Sequence, residues 1–155
     1  MSPPPTGQHQ RAAFVLGRVI EDALREGGRT DLHVVLGVGV EISTPWRTGL
    51  IPDVVVLNTR PVGARFLPEN LVLAVEIWSP SNTRTERDTK AAAYAAADVP
   101  YFWTVNQDRV GAMTVTAYEL VDGTYVEQAT AAPGGLTTIK AAPVPVELDT
   151  ARLHS

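Results

Sequence analysis

The segment LVLAVEIWSPSN, residues 71–82, decides how the rest of this chain is interpreted. It begins with five consecutive apolar residues, and Ile77 and Trp78 continue the run, which is typical of a strand buried on both faces. Glu76 lies inside this run. A carboxylate that is removed from water costs several kcal/mol unless it takes up a proton or has a partner of opposite charge. Glu76 therefore either has a shifted pKa or is held by a partner from another part of the chain.

The overall composition is that of an ordinary globular protein. The chain has 155 residues, of which 45% are hydrophobic and 19% charged, and this length suits one domain with a sizeable core. It contains no cysteine, which excludes disulfides and thiolate metal sites. Its net charge of −4 argues against a dedicated nucleic-acid coat protein. An enzyme that holds nucleic acid through one local patch and a metal ion is compatible with that charge.

The termini and the apolar runs give no indication of a membrane protein. The first ten residues, MSPPPTGQHQ, are polar and proline-rich, and they lack the apolar core of a signal peptide. No uninterrupted apolar run approaches the length of a membrane span. We therefore expect a cytoplasmic protein with no membrane partner.

Two helices and several strands are predicted from hydrophobic periodicity and from the turn residues. Apolar residues at spacings of three and four predict a helix over residues 8–26, which Gly27 and Gly28 end. An alanine-rich segment predicts a second helix over residues 83–99, with Asn82 or Thr83 as its cap. Strands are predicted at 33–42, 50–58, 71–79 and 101–106, in a hairpin over 112–128 with its turn at Asp122 and Gly123, and at the edge strand APVPVEL.

The order of these elements predicts the fold class. The runs 50–57 and 71–78 show no alternation, which indicates a central sheet with helices on its faces. The connection from Glu76's strand through the alanine-rich helix to Tyr101 is long enough for a parallel crossover. We therefore predict an α/β fold (mixed α+β) whose central sheet contains both parallel and antiparallel strands and is flanked by helices. Residues 1–155 are predicted to form one domain.

A second acid interrupts the preceding strand. Asp53 follows Pro52 there, and the segment between the two strands allows them to be neighbours in a hairpin. Two buried carboxylates side by side repel each other unless a proton or a cation lies between them. Mg²⁺ takes one or two carboxylates and keeps positions for water and phosphate. Asp53 and Glu76 therefore predict a site for Mg²⁺ or Mn²⁺, whose bound water could attack a phosphodiester.

A lysine is the remaining part of such a site. Many metal-dependent nucleases carry one two residues after the acid on the strand, on the same face, but Trp78 occupies this position here. The nearest lysine is Lys90, on the following helix. From there its ammonium group could stabilise developing negative charge or position the attacking water.

Four motifs together resemble the Uma-two family, a bacterial family that is placed in the PD-(D/E)XK restriction-endonuclease-like superfamily. The resemblance extends from about His9 to APVPVEL. The motifs are PD at Pro52 and Asp53, VEIWSPSN from Val75, Lys90 with Tyr94 one turn later, and DVPYFWTVN from Asp98.

The resemblance implies a restriction-endonuclease-like core with Asp53 and Glu76 as metal ligands. Lys90 would be the lysine that has moved from the strand to the helix. His9 matches a histidine of the family. The chain departs from the family in three respects: we expect it to lack the N-terminal hairpin, Asn106 stands where an aspartate is usual, and Glu86 with Asp88 only loosely matches the family's acid ahead of the lysine.

Simpler structural explanations exist for the three central residues. Glu76 could be paired with an arginine in the core. Asp53 could close the turn that Pro52 begins. Lys90 could form an exposed pair with Glu86, which lies one turn earlier on the same helix face.

The outer residues have structural alternatives as well. We expect Tyr94 to pack the helix rather than to take part in chemistry, and His9 to lie at the surface or to cap its helix. Arg84 and Arg87 could contact phosphate, although charges on a helix usually form its solvated face.

Two functions follow from these readings. The first is a metal-dependent endonuclease that hydrolyses phosphodiester bonds in DNA. The alternative is a catalytically silent nuclease fold that acts as a binding or assembly module. A third hypothesis gives the acids a purely structural role without a metal ion. A homodimer through the hairpin 112–128 is compatible with either function.

Overall fold

The computed structural model of the chain describes residues 6–43 and 48–154, with only the backbone of Ser43, Thr48 and His154. Its helices are α1 (Gly7–Glu26), α2 (Arg84–Ala96) and α3 (Ala151–His154). Its strands are β1 (His33–Leu36), β2 (Gly39–Ser43), β3 (Thr48–Leu50), β4 (Val54–Leu57), β5 (Arg65–Phe66), β6 (Leu71–Ile77), β7 (Tyr101–Gln107), β8 (Met113–Val121), β9 (Thr124–Ala131), β10 (Leu136–Ile139) and β11 (Val146–Asp149).

A mixed sheet with the strand order β1-β4-β6-β7-β8-β9 forms the centre of the molecule. β6 and β7 are parallel and are connected through α2, while the other neighbouring strands in this sheet are antiparallel. The predicted mixed α/β class, the parallel crossover and the pairing of the two acid-bearing strands are therefore confirmed.

β6 lacks alternation because both of its faces are covered. Leu73, Val75 and Ile77 belong to the core on the side of α1, whereas Ala74 and Trp78 belong to the core on the side of α2. The side chain of Glu76 projects to the second side, since successive side chains of a strand point to opposite faces. The charged residue thus lies under α2.

The first helix and the C-terminal segment cover the other face. α1 begins after the cap residue Thr6, and its apolar side contributes Leu16 and Ile20 to the core. β11 confirms the strand predicted in APVPVEL, but its antiparallel partner β10 was not predicted. Leu148 and Leu153 pack into the same core as α1.

The predicted strand 33–42 proves to be two strands in different sheets. Gly37 has a φ of +62°, a conformation that favours glycine, and separates β1 in the central sheet from β2 in a small sheet with β3 and β5. The prediction of a single strand over 33–42 is therefore wrong. The strand predicted at 50–58 is likewise divided, so that Asp53 directly precedes β4.

The remaining local predictions agree closely with the structure. α2 lies within the predicted 83–99, and Thr83 is its cap. The hairpin β8–β9 turns at Asp122 and Gly123, which both have positive φ, as in a type I′ turn. The segment between the strands predicted at 50–58 and 71–79 contains β5 and a 3₁₀ turn at Pro68–Asn70. Among the described residues, no helix is long and apolar enough to cross a membrane.

Candidate active site

Asp53 and Glu76 meet where β4 begins. Val54 lies opposite Val75 in the antiparallel ladder, so the next positions outward are Asp53 and Glu76. The backbone N–H of Asp53 donates to the Val75 carbonyl at 3.0 Å, and its Oδ2 accepts from the N–H of Ile77 at 2.7 Å. These bonds hold the carboxylate of Asp53 beside β6.

The carboxylate of Glu76 is buried, with 3% of the residue exposed. Its Oε1 lies 3.5 Å from Nζ of Lys90, and its Oε2 accepts a hydrogen bond of 2.6 Å from the hydroxyl of Tyr94. Burial raises the pKa of Glu76 to about 7; the charge of Asp53 adds to the rise, while Lys90 and Tyr94 oppose it. No described arginine contacts Glu76, so the pairing with an arginine is not observed.

Glu86 and Lys90 on α2 have different partners. Thr83 Oγ1 accepts from the N–H of Glu86 at 3.1 Å, and Glu86 Oε1 accepts from the N–H of Thr83 at 3.1 Å. Glu86 is thus engaged in a capping box. The ion pair that Lys90 forms is with Glu76, and the side chain of Lys90 is 28% exposed.

Tyr94 combines packing with a polar contact. It is fully buried, and its ring centroid lies 5.3 Å from that of Phe102, so the expected packing role is confirmed. Its hydroxyl also donates to Glu76. Burial, with the nearby carboxylates, raises the pKa of Tyr94 well above its ordinary value, which keeps the hydroxyl protonated as a donor.

His9 lies at the site, contrary to the expected surface or capping position. Its Nε2 is 3.2 Å from Asp53 Oδ1, its side chain is 18% exposed, and the cap of α1 is Thr6. The hydrogen bond to Asp53 raises the pKa of His9, although burial opposes this. Its Nδ1 is buried and has no partner among the described residues. Only its match to a family histidine pointed to it, since the helix pattern does not tell which strand the first turn of α1 meets.

The two arginines of α2 differ in their surroundings. Arg87 donates to Asn106 Oδ1 at 2.8 Å and to the Ser79 carbonyl at 3.2 Å, and its guanidinium lies 5.5 Å from the ring centroid of Trp78. Arg84 is almost fully exposed and lies 3.9 Å from Asp88. Arg87 is therefore fixed beside the site, whereas Arg84 belongs to the solvated face. Asn106 orients Arg87, a contact that the sequence did not predict.

The two carboxylates suit a hard divalent ion. Each of their four oxygens has one partner, namely His9, the Ile77 N–H, Lys90 or Tyr94. A carboxylate oxygen has two lone pairs, so each retains one for an ion. In the described part of the chain no three or more acidic, histidine or cysteine side chains converge as a metal-binding group. The two carboxylates by themselves fit Mg²⁺ or Mn²⁺, since such an ion takes one or two carboxylates and fills its other positions with water or phosphate.

Comparisons with known proteins agree with this fold. No curated protein matches the sequence. A crystal structure of a protein from Anabaena variabilis, described as a "putative nuclease", is 19% identical with a TM-score of 0.68, over 99% of this chain and 84% of that one. At this identity the likeness concerns the fold, and it confirms the predicted nuclease-like core. The profile of the Uma2 family, described as "putative restriction endonuclease", matches residues 1–151. The chain belongs to the Uma2 family.

Proposed function

We propose that the protein is a divalent-metal-dependent endonuclease that hydrolyses phosphodiester bonds in DNA. The family and the nuclease-like fold support the general class. The observation that carries the proposal is the cluster of Asp53, Glu76 and Lys90 at one end of β4 and β6. A buried acid whose pKa is about 7, next to a second acid and an ammonium group, is typical of a catalytic site rather than of a core.

The carboxylates of Asp53 and Glu76 would hold Mg²⁺ or Mn²⁺. When bound, such an ion polarises a phosphoryl oxygen and lowers the pKa of a coordinated water, so that hydroxide is available as the nucleophile at neutral pH. His9 holds Asp53 through Oδ1, and Tyr94 holds Glu76 through Oε2, so both ligands are oriented before substrate arrives.

Lys90 supplies the positive charge next to the proposed metal position. Its Nζ lies 3.5 Å from Glu76 Oε1, from where it can bind a phosphate oxygen and stabilise the charge that develops on it. Arg87 would grip an adjacent phosphate from its fixed position over Trp78. Arg84, which extends into solvent, would add a weaker contact.

A silent nuclease fold is the second candidate. Its support is that no group of three or more metal-binding side chains converges among the described residues. Such a protein would bind a partner through the same surface without cleaving it. Calorimetric titration with Mn²⁺ tests this candidate, since binding that disappears in Glu76→Gln would remove most of its support.

The protein has a second proposed partner, which is another copy of itself. A homodimer could form through the β8–β9 hairpin, where Val121 and Val126 are about half exposed. Light scattering of the protein, with a charged substitution at Val126 as the comparison, would test this surface.

The main test is cleavage of supercoiled plasmid and of single-stranded DNA with Mg²⁺ or Mn²⁺. We expect Asp53→Asn, Glu76→Gln and Lys90→Met each to lower the rate by roughly 100-fold or more. The first two variants weaken the hold on the proposed metal ion, and the third removes the positive charge beside the reacting phosphate. Glu119→Gln is the matched control, since Glu119 is an exposed acid on β8. Cleavage that survives Asp53→Asn and Glu76→Gln would refute the assignment of the site.

A further inference from the structure

A cavity of about 530 Å³ lies on the face of the central sheet that carries Glu76. Its volume is within the range of pockets that hold small organic groups, roughly 300–1,000 Å³. Its walls combine aromatic rings, two guanidinium groups, the carboxylate of Asp88 and uncharged polar groups. They include Trp78, Arg87, Phe102, Thr104, Tyr118 and Tyr125.

The cavity adjoins the candidate active site. Thr104 on β7 is paired with Glu76 on β6, so the two side chains project from the same face one strand spacing apart, about 4.8 Å. Trp78, which also lines the cavity, has its ring centroid 5.8 Å from Nζ of Lys90. A group in the cavity would therefore be next to a phosphate held at Glu76 and Lys90.

Three rings form one continuous aromatic wall. The ring centroid of Phe102 lies 6.1 Å from that of Tyr118 and 5.2 Å from that of Tyr125, at interplanar angles of 29° and 28°. Phe102 is buried beneath the two tyrosines, which are partly exposed. Such a surface stacks on the flat face of a nucleobase, whatever the base.

Polar groups in the cavity remain available for a base edge or a phosphate. Within the part of the chain that the structure describes, Thr104 Oγ1 and the hydroxyl of Tyr118 make no hydrogen bond, whereas the hydroxyl of Tyr125 donates to the Val99 carbonyl. Arg87 is held beside them by Asn106. The cavity therefore offers stacking, a positive charge and hydrogen bonds together.

A base inside a duplex cannot enter such a cavity, because its faces are covered by the neighbouring base pairs. We infer that the cavity takes up the base of an unpaired nucleotide beside the scissile phosphate, so that the substrate of the proposed nuclease is single-stranded or locally unpaired DNA. This inference rests on the proposed function and specifies its substrate class.

The test measures binding without cleavage. Fluorescence polarisation in EDTA compares a labelled single-stranded DNA 12-mer with the duplex of the same sequence, and a 2-aminopurine base in the strand reports stacking. We expect tighter binding of the single strand, quenching of 2-aminopurine, and a roughly tenfold weaker single-strand affinity in Tyr118→Leu. Tyr118→Phe should keep the affinity, since the ring remains.

Tyr101→Leu is the matched control, because Tyr101 lies on the opposite face of β7 and packs against the core on the side of α1. Equal affinity for single strand and duplex, an equal loss of both in Tyr118→Leu, or tighter binding of an RNA strand would each overturn the inference. Cleavage assays judge the proposed function separately: selective strand binding without metal-dependent cleavage would refute the nuclease and leave the base-binding cavity in place.

Discussion

At the scale of single residues, Glu76 is the group whose environment has the clearest consequences. Its carboxylate is buried between Asp53, Lys90 and Tyr94, and its pKa is raised to about 7. The folded protein therefore holds a proton on Glu76 at a pH at which the unfolded chain has released it. The contribution of Glu76 to the stability of the metal-free protein therefore falls as the pH rises from about 4.5 to about 7.

Glu76→Gln should remove this dependence. Because glutamine stays neutral, we expect the variant to match the wild type near pH 4.5 and to exceed its free energy of unfolding by roughly 3 kcal/mol at pH 8. Urea unfolding in EDTA across this range measures the difference. The pKa of His9 is also raised, so its contribution to stability is also lost as the pH rises. This contribution does not distinguish the two proteins, because both contain His9. Parallel curves for the two proteins would contradict the prediction.

Metal binding should depend on pH for the same reason. An ion that binds Glu76 must displace its proton, so the apparent affinity for Mn²⁺ should rise about tenfold per pH unit below 7 and level off above it. Calorimetry between pH 5.5 and 8 measures the affinity, and buffers of different ionisation enthalpy count the released protons. An affinity that does not change with pH would show that Glu76 is not a ligand.

At the scale of elements, the N-terminus of α2 sets the position of the ammonium group of Lys90. The capping box of Thr83 and Glu86 fixes the first turn, and Lys90, Arg87 and Tyr94 are oriented from it. The sequence predicted the helix and gave Asn82 or Thr83 as its cap. It did not decide whether Lys90 would pair with Glu86 or with Glu76, since both partners lie within reach of a long side chain.

Thr83→Ala tests this element. Loss of the cap should lower the free energy of unfolding by about 1 kcal/mol, and the melting temperature by roughly 2–4 °C. The rate of metal-dependent cleavage should fall as well, because the first turn frays next to Lys90. Thr85→Ala is the control, as Thr85 is an exposed helical residue that is not the cap. Equal melting temperatures for the two variants would refute the role of the cap.

At the scale of the whole molecule, α1 and the C-terminal segment close one face of the sheet. Trp103 on β7 donates its Nε1–H to the Ala141 carbonyl at 2.8 Å, and Leu148 on β11 is fully buried in the same core. The same helix brings His9 to Asp53 at its first turn. The packing of the C-terminal segment and the geometry of the site are therefore connected through α1.

Leu148→Ala and Leu136→Ala form a matched pair within the β10–β11 sheet. Leu148 is fully buried, whereas Leu136 is 70% exposed. We expect Leu148→Ala to lower the free energy of unfolding by about 2–5 kcal/mol through the cavity it leaves, and Leu136→Ala to change it by less than about 0.5 kcal/mol. Chemical unfolding at pH 7 measures both, and equal losses would show that this segment is not part of the core.

The sequence by itself determined the features that depend on neighbours along the chain. The apolar residues of β6 required cover on both faces, the acid among them required a proton or a partner, and Asp122 with Gly123 specified the hairpin turn. Tertiary structure alone decided the features that join distant segments: His9 at Asp53, Asn106 on Arg87, the separation of β1 from β2 into two sheets, and the pairing of β10 with β11. Periodicity reports which face of an element is buried, but the partner on that face is fixed only when the whole core packs.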